Sequence, residues 1–182
     1  MRVISGSARG LKLVSPEGLG TRPTTDRVKE SLFNIIQPYI PADNVLDLFG
    51  GSGALGIEAL SRGSKSCVFV DIDKKAIDII NKNVEKARLK EKSVVVKADV
   101  FNYLSACREE FDIIFLDPPY NKGFLDKVFD NIYKNKLLRK DGIIVVESEA
   151  GGEMPDNSNF VCVKLAKYGK TIVSVFKSGD NI

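Results

Sequence analysis

Histidine is absent from the 182-residue chain, which removes His-based triads, imidazole acid–base catalysis and His metal sites together. Any chemistry has to run on carboxylates and backbone groups. Cysteine is scarce. Cys67, Cys107 and Cys162 lie far apart with no Cys-x-x-Cys pair, so neither a disulfide framework nor a thiolate zinc site is indicated. The three are read as reduced, partly buried fillers. No apolar run reaches the roughly 18 residues of a membrane span, and the start Met-Arg-Val-Ile-Ser-Gly lacks the charged-then-apolar layout of a signal peptide. A cytoplasmic protein is therefore expected. Repeats and low-complexity tracts are missing too.

Hydrophobic residues make up 43% of the chain, enough for one substantial core at this length. The formal net charge of +3 is unevenly placed. Residues 1–40 hold Arg2, Arg9, Lys12, Arg22, Arg27 and Lys29 against Glu17, Asp26 and Glu30, while the remaining 142 residues carry 21 charges of each sign. A basic arm on a neutral body is an electrostatic footprint for a polyanion, although an ordinary solvated surface reads the same way.

From Asn44 onward, apolar runs of strand length alternate with helix-period segments, the pattern of βαβ units around a parallel sheet. Strands are predicted at Val45–Phe49, Ser66–Asp71, Ser93–Ala98, Asp112–Leu116 and Gly142–Glu147. Helices are predicted at Ala54–Arg62, Lys74–Ala87, Val100–Arg108 and Phe124–Tyr133; Ala76, Ile77, Ile80 and Val84 share one face of the second. Asn159–Lys167 and Thr171–Lys177 flank Tyr168-Gly169-Lys170, a hairpin signal that should close one sheet edge with antiparallel strands. The stretch from Ser148 to Asn159 has no helical period and is read as a loop. Upstream, Val3–Val14 is read as a hairpin turning near Ala8-Arg9-Gly10, and Thr24-Thr25-Asp26 as the cap of a helix from Arg27 to Ile36. The expected class is α/β, a mostly parallel Rossmann-like sheet with a C-terminal antiparallel hairpin and a small N-terminal β-hairpin and helix extension.

The first of these strands runs into Gly50-Gly51-Ser52-Gly53-Ala54-Leu55-Gly56, where glycines let the backbone turn tightly and approach a ligand before a helix begins. Gly51, Gly53 and Gly56 satisfy G-x-G-x-x-G, and Asp71 lies 20 residues past Gly51, where a dinucleotide-binding fold places its ribose carboxylate. The motif alone does not separate NAD from another adenosine ligand. Asp47, near the end of the same strand, suits a ligand ammonium and would repel a pyrophosphate. Asp99, with Val100 beside it, is suited to an adenine amino group and ring. A dehydrogenase also needs a substrate domain, for which little chain is left. The residues thus favour S-adenosylmethionine, with Asp47, Gly50, Gly51, Ser52, Gly53, Asp71, Ile72, Asp99 and Val100 around it. Asp71 and Asp99 could equally be helix caps after strands.

Asp117-Pro118-Pro119-Tyr120 directly follows Phe111-Asp-Ile-Ile-Phe-Leu116. A chain of this length should contain that tetrapeptide by chance on the order of once in a thousand. The exocyclic amino group of a nucleobase is a poor nucleophile because its lone pair is delocalised into the ring. The Asp117 carboxylate and the Pro118 carbonyl could accept its two N–H bonds and aim the lone pair at a sulfonium methyl, with Tyr120 stacked on the base and Pro119 stiffening the loop. No metal is needed. A rigid turn with a capping Asp is the plainer alternative.

Together, Arg2-Val-Ile-Ser-Gly, Thr21-Arg-Pro-Thr-Thr-Asp-Arg-Val-Lys-Glu-Ser-Leu-Phe-Asn34, Leu46-Asp-Leu-Phe-Gly-Gly-Ser-Gly-Ala-Leu-Gly-Ile-Glu-Ala59 and Asp117-Pro-Pro-Tyr120 make the chain resemble, end to end, the bacterial 16S rRNA guanine-N2 methyltransferases of the class I S-adenosylmethionine-dependent fold. Ala8 and Leu11 stand where some relatives carry a bulky aromatic and a basic residue. A monomer is expected, and the resemblance implies methylation of one guanine N2 in 16S rRNA, free or within a 30S assembly particle. It places Arg9, Lys12, Arg22, Thr24 and Arg27 at the RNA. The chain is expected to divide into residues 1–40, an RNA-facing hairpin and helix extension of the same unit, and residues 41–182, the methyltransferase domain. Competing readings are an amino-methyltransferase acting on N6 of adenine or N4 of cytosine, a non-catalytic RNA-binding module, and a nicotinamide oxidoreductase.

Overall fold

The computed structural model describes residues 1–15, 26–118, 124–152 and 154–181. Short β-branched runs separated by helices bury both faces only inside a sheet covered on each side. The described residues accordingly build one sheet from β1 (Asn44–Leu48), β2 (Ser66–Asp71), β3 (Ser93–Lys97), β4 (Phe111–Leu116), β5 (Leu138–Glu149), β6 (Phe160–Tyr168) and β7 (Thr171–Ser178). Its order is β3-β2-β1-β4-β5-β7-β6. β1 to β5 are mutually parallel; β7 runs antiparallel to both β5 and β6. The expected hairpin is present, turning at Gly169, whose φ is +61°. Strand order reverses between β1 and β4, and this switch point is where open α/β sheets bind ligands.

Helices α1 (Asp26–Ile35), α2 (Ala54–Ser61), α3 (Lys74–Lys86), α4 (Val100–Ala106) and α5 (Phe124–Lys134) cover the sheet. One face packs Leu32, Phe33, Leu55, Ile57 and Ile80 against Val45, Phe69, Phe115 and Val145. The other packs Leu104, Val128, Phe129 and Ile132 against Leu46, Val70, Ile114 and Val146. Alternation along β1 sends Val45 to the first cluster and Leu46 and Leu48 to the second, as period-two strand geometry requires.

Two N-terminal expectations are modified. The hairpin of residues 3–14 survives as a single Arg2–Lys12 bridge, with Val3 N–H donating to Leu11 O at 3.0 Å and Gly10 N–H to Val3 O at 2.8 Å. No longer ladder forms because the amides of the first arm are spent on α2. Ile4 and Ser5 donate to the Glu58 carboxylate at 2.8 and 3.0 Å, and Ser7 donates to Ser61 O at 2.8 Å. Of the expected cap Thr24-Thr25-Asp26 the two threonines lie outside the described residues; Asp26 is itself the first residue of α1, and its carboxylate accepts from the Arg2 amide at 2.8 Å. Beneath these contacts Lys29 and Glu58 form an ion pair at 2.8 Å with both side chains fully buried. Lys29 also donates to Arg2 O at 2.6 Å, and Arg62 Nε donates to Glu58 at 2.9 Å.

Candidate active site

The site is assembled where β1, β2, β4 and β5 end. β1 delivers Asp47, whose carboxylate, 3% exposed, accepts from the Gly56 amide at 3.0 Å. The chain then passes through Phe49 and Gly51, with φ of +66° and +55°, and reaches Gly53, the N-cap of α2, at φ +74°. That left-handed entry is one glycine adopts without the Cβ penalty. Three residues on, a Cβ at Gly56 would lie 2.4 Å from the Phe69 ring and 2.6 Å from Cys67 Sγ. Close helix–strand approach is thus the third glycine's task. Gly56→Ala should lower stability by about 1–3 kcal/mol through overpacking, read as a loss of Tm in thermal melts.

Asp71, at the end of β2, accepts from Gly51 N–H at 2.9 Å and from Asp73 N–H at 2.9 Å. The cap of α3 is Asp73, so Asp71 is a strut beneath the glycine turn and not the expected alternative cap. Ile72, next to it, is 65% exposed. Asp99 is the N-cap of α4, accepting from Phe101 and Asn102 amides at 3.0 and 3.1 Å. Val100 is buried in the cluster with Leu104, so the apolar surface at this edge comes from Ile72 and not from Val100. Asp117 and buried Pro118 follow β4, beside β1. Pro119, Tyr120, Arg22 and Thr24 lie outside the described residues.

The structure adds two residues to the set. Glu147, buried near the end of β5, comes next to Asp117 by the register that pairs Leu116 with Val146; a carboxylate closing the apolar run from Gly142 to Val146 was the available signal. Asn83 is fully buried on α3. Its side-chain amide donates to Ser52 O and Val14 O at 2.8 Å each, and its oxygen accepts from Val14 N–H at 2.8 Å. A polar residue on the inward stripe between Ile80 and Val84 was its signal.

Arg9, Lys12 and Arg27 are exposed. Arg9 sits in the loop held to Ser61, at the far end of α2 from Gly53. Eight residues at about 1.5 Å rise put it roughly 12 Å down that helix, so Arg9 is not brought to Asp117.

The carboxylates at this end of the sheet oppose one another. Burial leads in pushing the Asp47 carboxyl up to about 7; the Gly56 amide pulls against it and the charge of Asp71 adds to it. Asp117 keeps part of its surface exposed, yet burial, then Glu147 and Asp47, push it up to about 8. Both shifts are upward from 3.8. Between about pH 4 and 8 the folded chain therefore holds protons that the unfolded chain has released. The stability these groups contribute is full below their unfolded value of 3.8 and is lost as pH rises from there through about 7 and about 8. Tm should fall between about pH 5 and 8, and Asp117→Asn should flatten that fall. Melts across the range check it.

Residues 1–177 match the family model described as Conserved hypothetical protein 95. The chain belongs to this family. Among relatives of this family member, the Escherichia coli (strain K12) protein named Ribosomal RNA small subunit methyltransferase D is 38% identical over 85% of this chain and 78% of its own length. The Bacillus subtilis (strain 168) protein YlbH, whose name proposes an rRNA methyltransferase, is 44% identical over 97% of this chain and 98% of its own. The solved structure of the Escherichia coli protein yhhF, described as a proposed methyltransferase, aligns with a TM-score of 0.85 at 34% identity, covering 98% of this chain and 97% of that one. The fold of this Conserved hypothetical protein 95 member is thus the expected methyltransferase-type sheet. Among its described residues, no helix is long and apolar enough to cross a membrane.

Proposed function

We propose that this chain transfers a methyl group from S-adenosylmethionine to the exocyclic N2 of a guanine in 16S rRNA, as a cytoplasmic monomer acting on free RNA or a 30S assembly particle. The observation that carries the reading is the junction of β4 with β1. β4 ends beside β1, so Asp117-Pro118 follows on next to the chain leading into the Gly50–Gly53 turn at the switch point of the sheet, among the buried Asp47 and Glu147 and the part-buried Asp71. That group of carboxylates fits a cationic ligand. Asp47 and Asp117 are held above their ordinary range by burial and then by neighbouring carboxylates, Asp71 for the first and Glu147 and Asp47 for the second, and positive charge placed among them offsets both effects. A dinucleotide pyrophosphate would add to the repulsion.

S-adenosylmethionine, when bound, supplies an electrophilic methyl on a sulfonium. Gly51, Ser52 and Gly53 would admit it close to the backbone, with Asp71 at its ribose and Asp99 and Ile72 at its adenine. Asp47, nearly sealed under the turn, acts through its charge and by fixing α2. Asp117 and the Pro118 carbonyl accept the two N–H bonds of the guanine amino group and orient its lone pair. The gain comes from placement and fixed charge. Asp117 would take the proton released from nitrogen once the sulfonium charge has been spent, since burial and the neighbouring Glu147 and Asp47 then favour its protonated form. Because that amino group is paired in a helix, the target must be unpaired or flipped out. The names of the Escherichia coli and Bacillus subtilis relatives support an rRNA substrate. Incubation with radiolabelled S-adenosylmethionine, free 16S rRNA and 30S particles, followed by nucleoside analysis, tests the reading. Label is expected in N2-methylguanosine; label in N6-methyladenosine or in no nucleoside refutes it.

A further inference from the structure

We propose that the groove between α1 and the β6–β7 hairpin is a second contact surface for the RNA substrate, binding an unpaired strand that leads away from the methyl-transfer site. The proposal rests on the RNA-methyltransferase reading above. The groove has a volume of about 860 Å³ and includes Ser31, Asn34, Tyr39, Lys164, Tyr168 and Lys177 in its lining, with no carboxylate among the lining residues. The hairpin itself is strongly one-signed. Residues 159–178 contain Lys164, Lys167, Lys170 and Lys177 and no Asp or Glu. Charge summed over the whole body conceals this, because the strands and loops elsewhere carry the balancing acids.

The groove is placed to continue the site. Tyr168 pairs with Thr171, and Thr171 with Glu149 at the end of β5, the end of the sheet that carries Glu147 and Asp117. Lys177 lies six residues further along β7. At about 3.3 Å per residue the groove therefore runs roughly 20 Å from the active-site end to the opposite end. At its lower end Lys177 Nζ lies 5.3 Å from the centroid of the Tyr39 ring. Tyrosine faces beside ammonium groups suit bases and phosphates of a single strand: the rings stack, and the cations replace condensed counterions.

The main alternative occupant is a β-strand from a second copy, since β6 is a sheet edge with Val161, Val163 and Leu165 exposed at 44%, 44% and 52%. That edge is blunted. The pairing register shifts between Cys162 and Lys164, and Lys164 and Lys167 stand on the same strand. A bulge and lysines are features that oppose strand addition.

The test compares wild-type protein with K164E/K177E, with the milder K164M/K177M, which keeps the aliphatic stems, and with K90E/K92E, which alters two exposed lysines outside the groove. Filter binding of 16S rRNA across a salt series and methyl-transfer kinetics are measured for each. For K164M/K177M the slope of log affinity against log salt should shrink by about 1.4, the share of two single-strand phosphate contacts. For both groove variants KM for rRNA should rise about tenfold or more, with kcat at saturating RNA and S-adenosylmethionine affinity unchanged. K90E/K92E should change the slope by less than half as much. Equal losses in groove and control variants, or an unchanged slope in K164M/K177M, overturn the proposal. So does a wild-type dimer by sedimentation that the groove variants dissociate. Failure of wild type to make N2-methylguanosine would sink the parent reading alone. An intact wild-type reaction with unaffected groove variants would sink only the groove.

Discussion

Asp117→Ala is expected to cut methyl transfer to 16S rRNA by at least about 100-fold, the scale for losing a positioned polar group that acts on the reacting atoms. S-adenosylmethionine binding should survive, because the glycine turn is held by contacts that do not involve Asp117: Asp71 to Gly51, Asp47 to Gly56 and Asn83 to Ser52. Single-turnover kinetics together with a cofactor titration separate the two quantities. Asp117→Asn sharpens the result. It keeps an acceptor oxygen but has no carboxylate to take up a proton, so a partial loss marks positioning and a loss equal to that of alanine marks the charge. An unchanged rate in Asp117→Ala would remove this residue from the mechanism.

The largest stability effect is expected at Glu58. This fully buried carboxylate receives the Lys29 ammonium, the Arg62 guanidinium and the Ile4 and Ser5 amides, so its removal leaves a buried cation and two amides without their acceptor. Deleting one member of a buried ion pair costs about 3–5 kcal/mol, and for a chain of this size each 1 kcal/mol shifts Tm by about 2–4 °C. Glu58→Ala should therefore lower Tm by about 10 °C, with amide exchange rising first in residues 1–13. K29M/E58Q should recover much of the loss, since the apolar stem fills the cavity and the amide oxygen still accepts from one backbone N–H. A double variant no more stable than Glu58→Ala would place the energy elsewhere.

The parallel core was legible because each of its strands is a nearly uninterrupted apolar run with turn residues at its ends. β2 begins at Ser66 and ends at Asp71 as the pattern indicated. Legibility failed where charge overlies backbone pairing. β5 starts at Leu138 and not Gly142, and Arg139, Lys140 and Asp141 concealed its first residues. Arg139 has a local reason to be there, since its guanidinium meets Asp112 at 3.0 Å across the β4–β5 pair. At the N-terminus the apolar alternation of Val3 and Leu13 was readable, but the acceptors for residues 4–8 come from Glu58 and Ser61, more than 50 positions away. No local pattern encodes that competition, so a short ladder looked like a full one.

The glycine motif and Asp117-Pro118 were visible as words in the sequence; their electrostatic setting was not. Glu147 belongs to a different βα unit from Asp117, and only the β4–β5 register, with Leu116 beside Val146, puts the two carboxylates side by side. Asn83 was hidden for the opposite reason. A single asparagine in an amphipathic helix reads as tolerated polarity until the main-chain groups that satisfy it are known.

Those groups come from two places 38 positions apart, Val14 and Ser52. Val14 is thereby tied to the turn after β1 through a helix that belongs to neither segment. Asn83→Ala should release both segments at once while leaving every residue at the reaction centre in place, read as faster amide exchange at Val14.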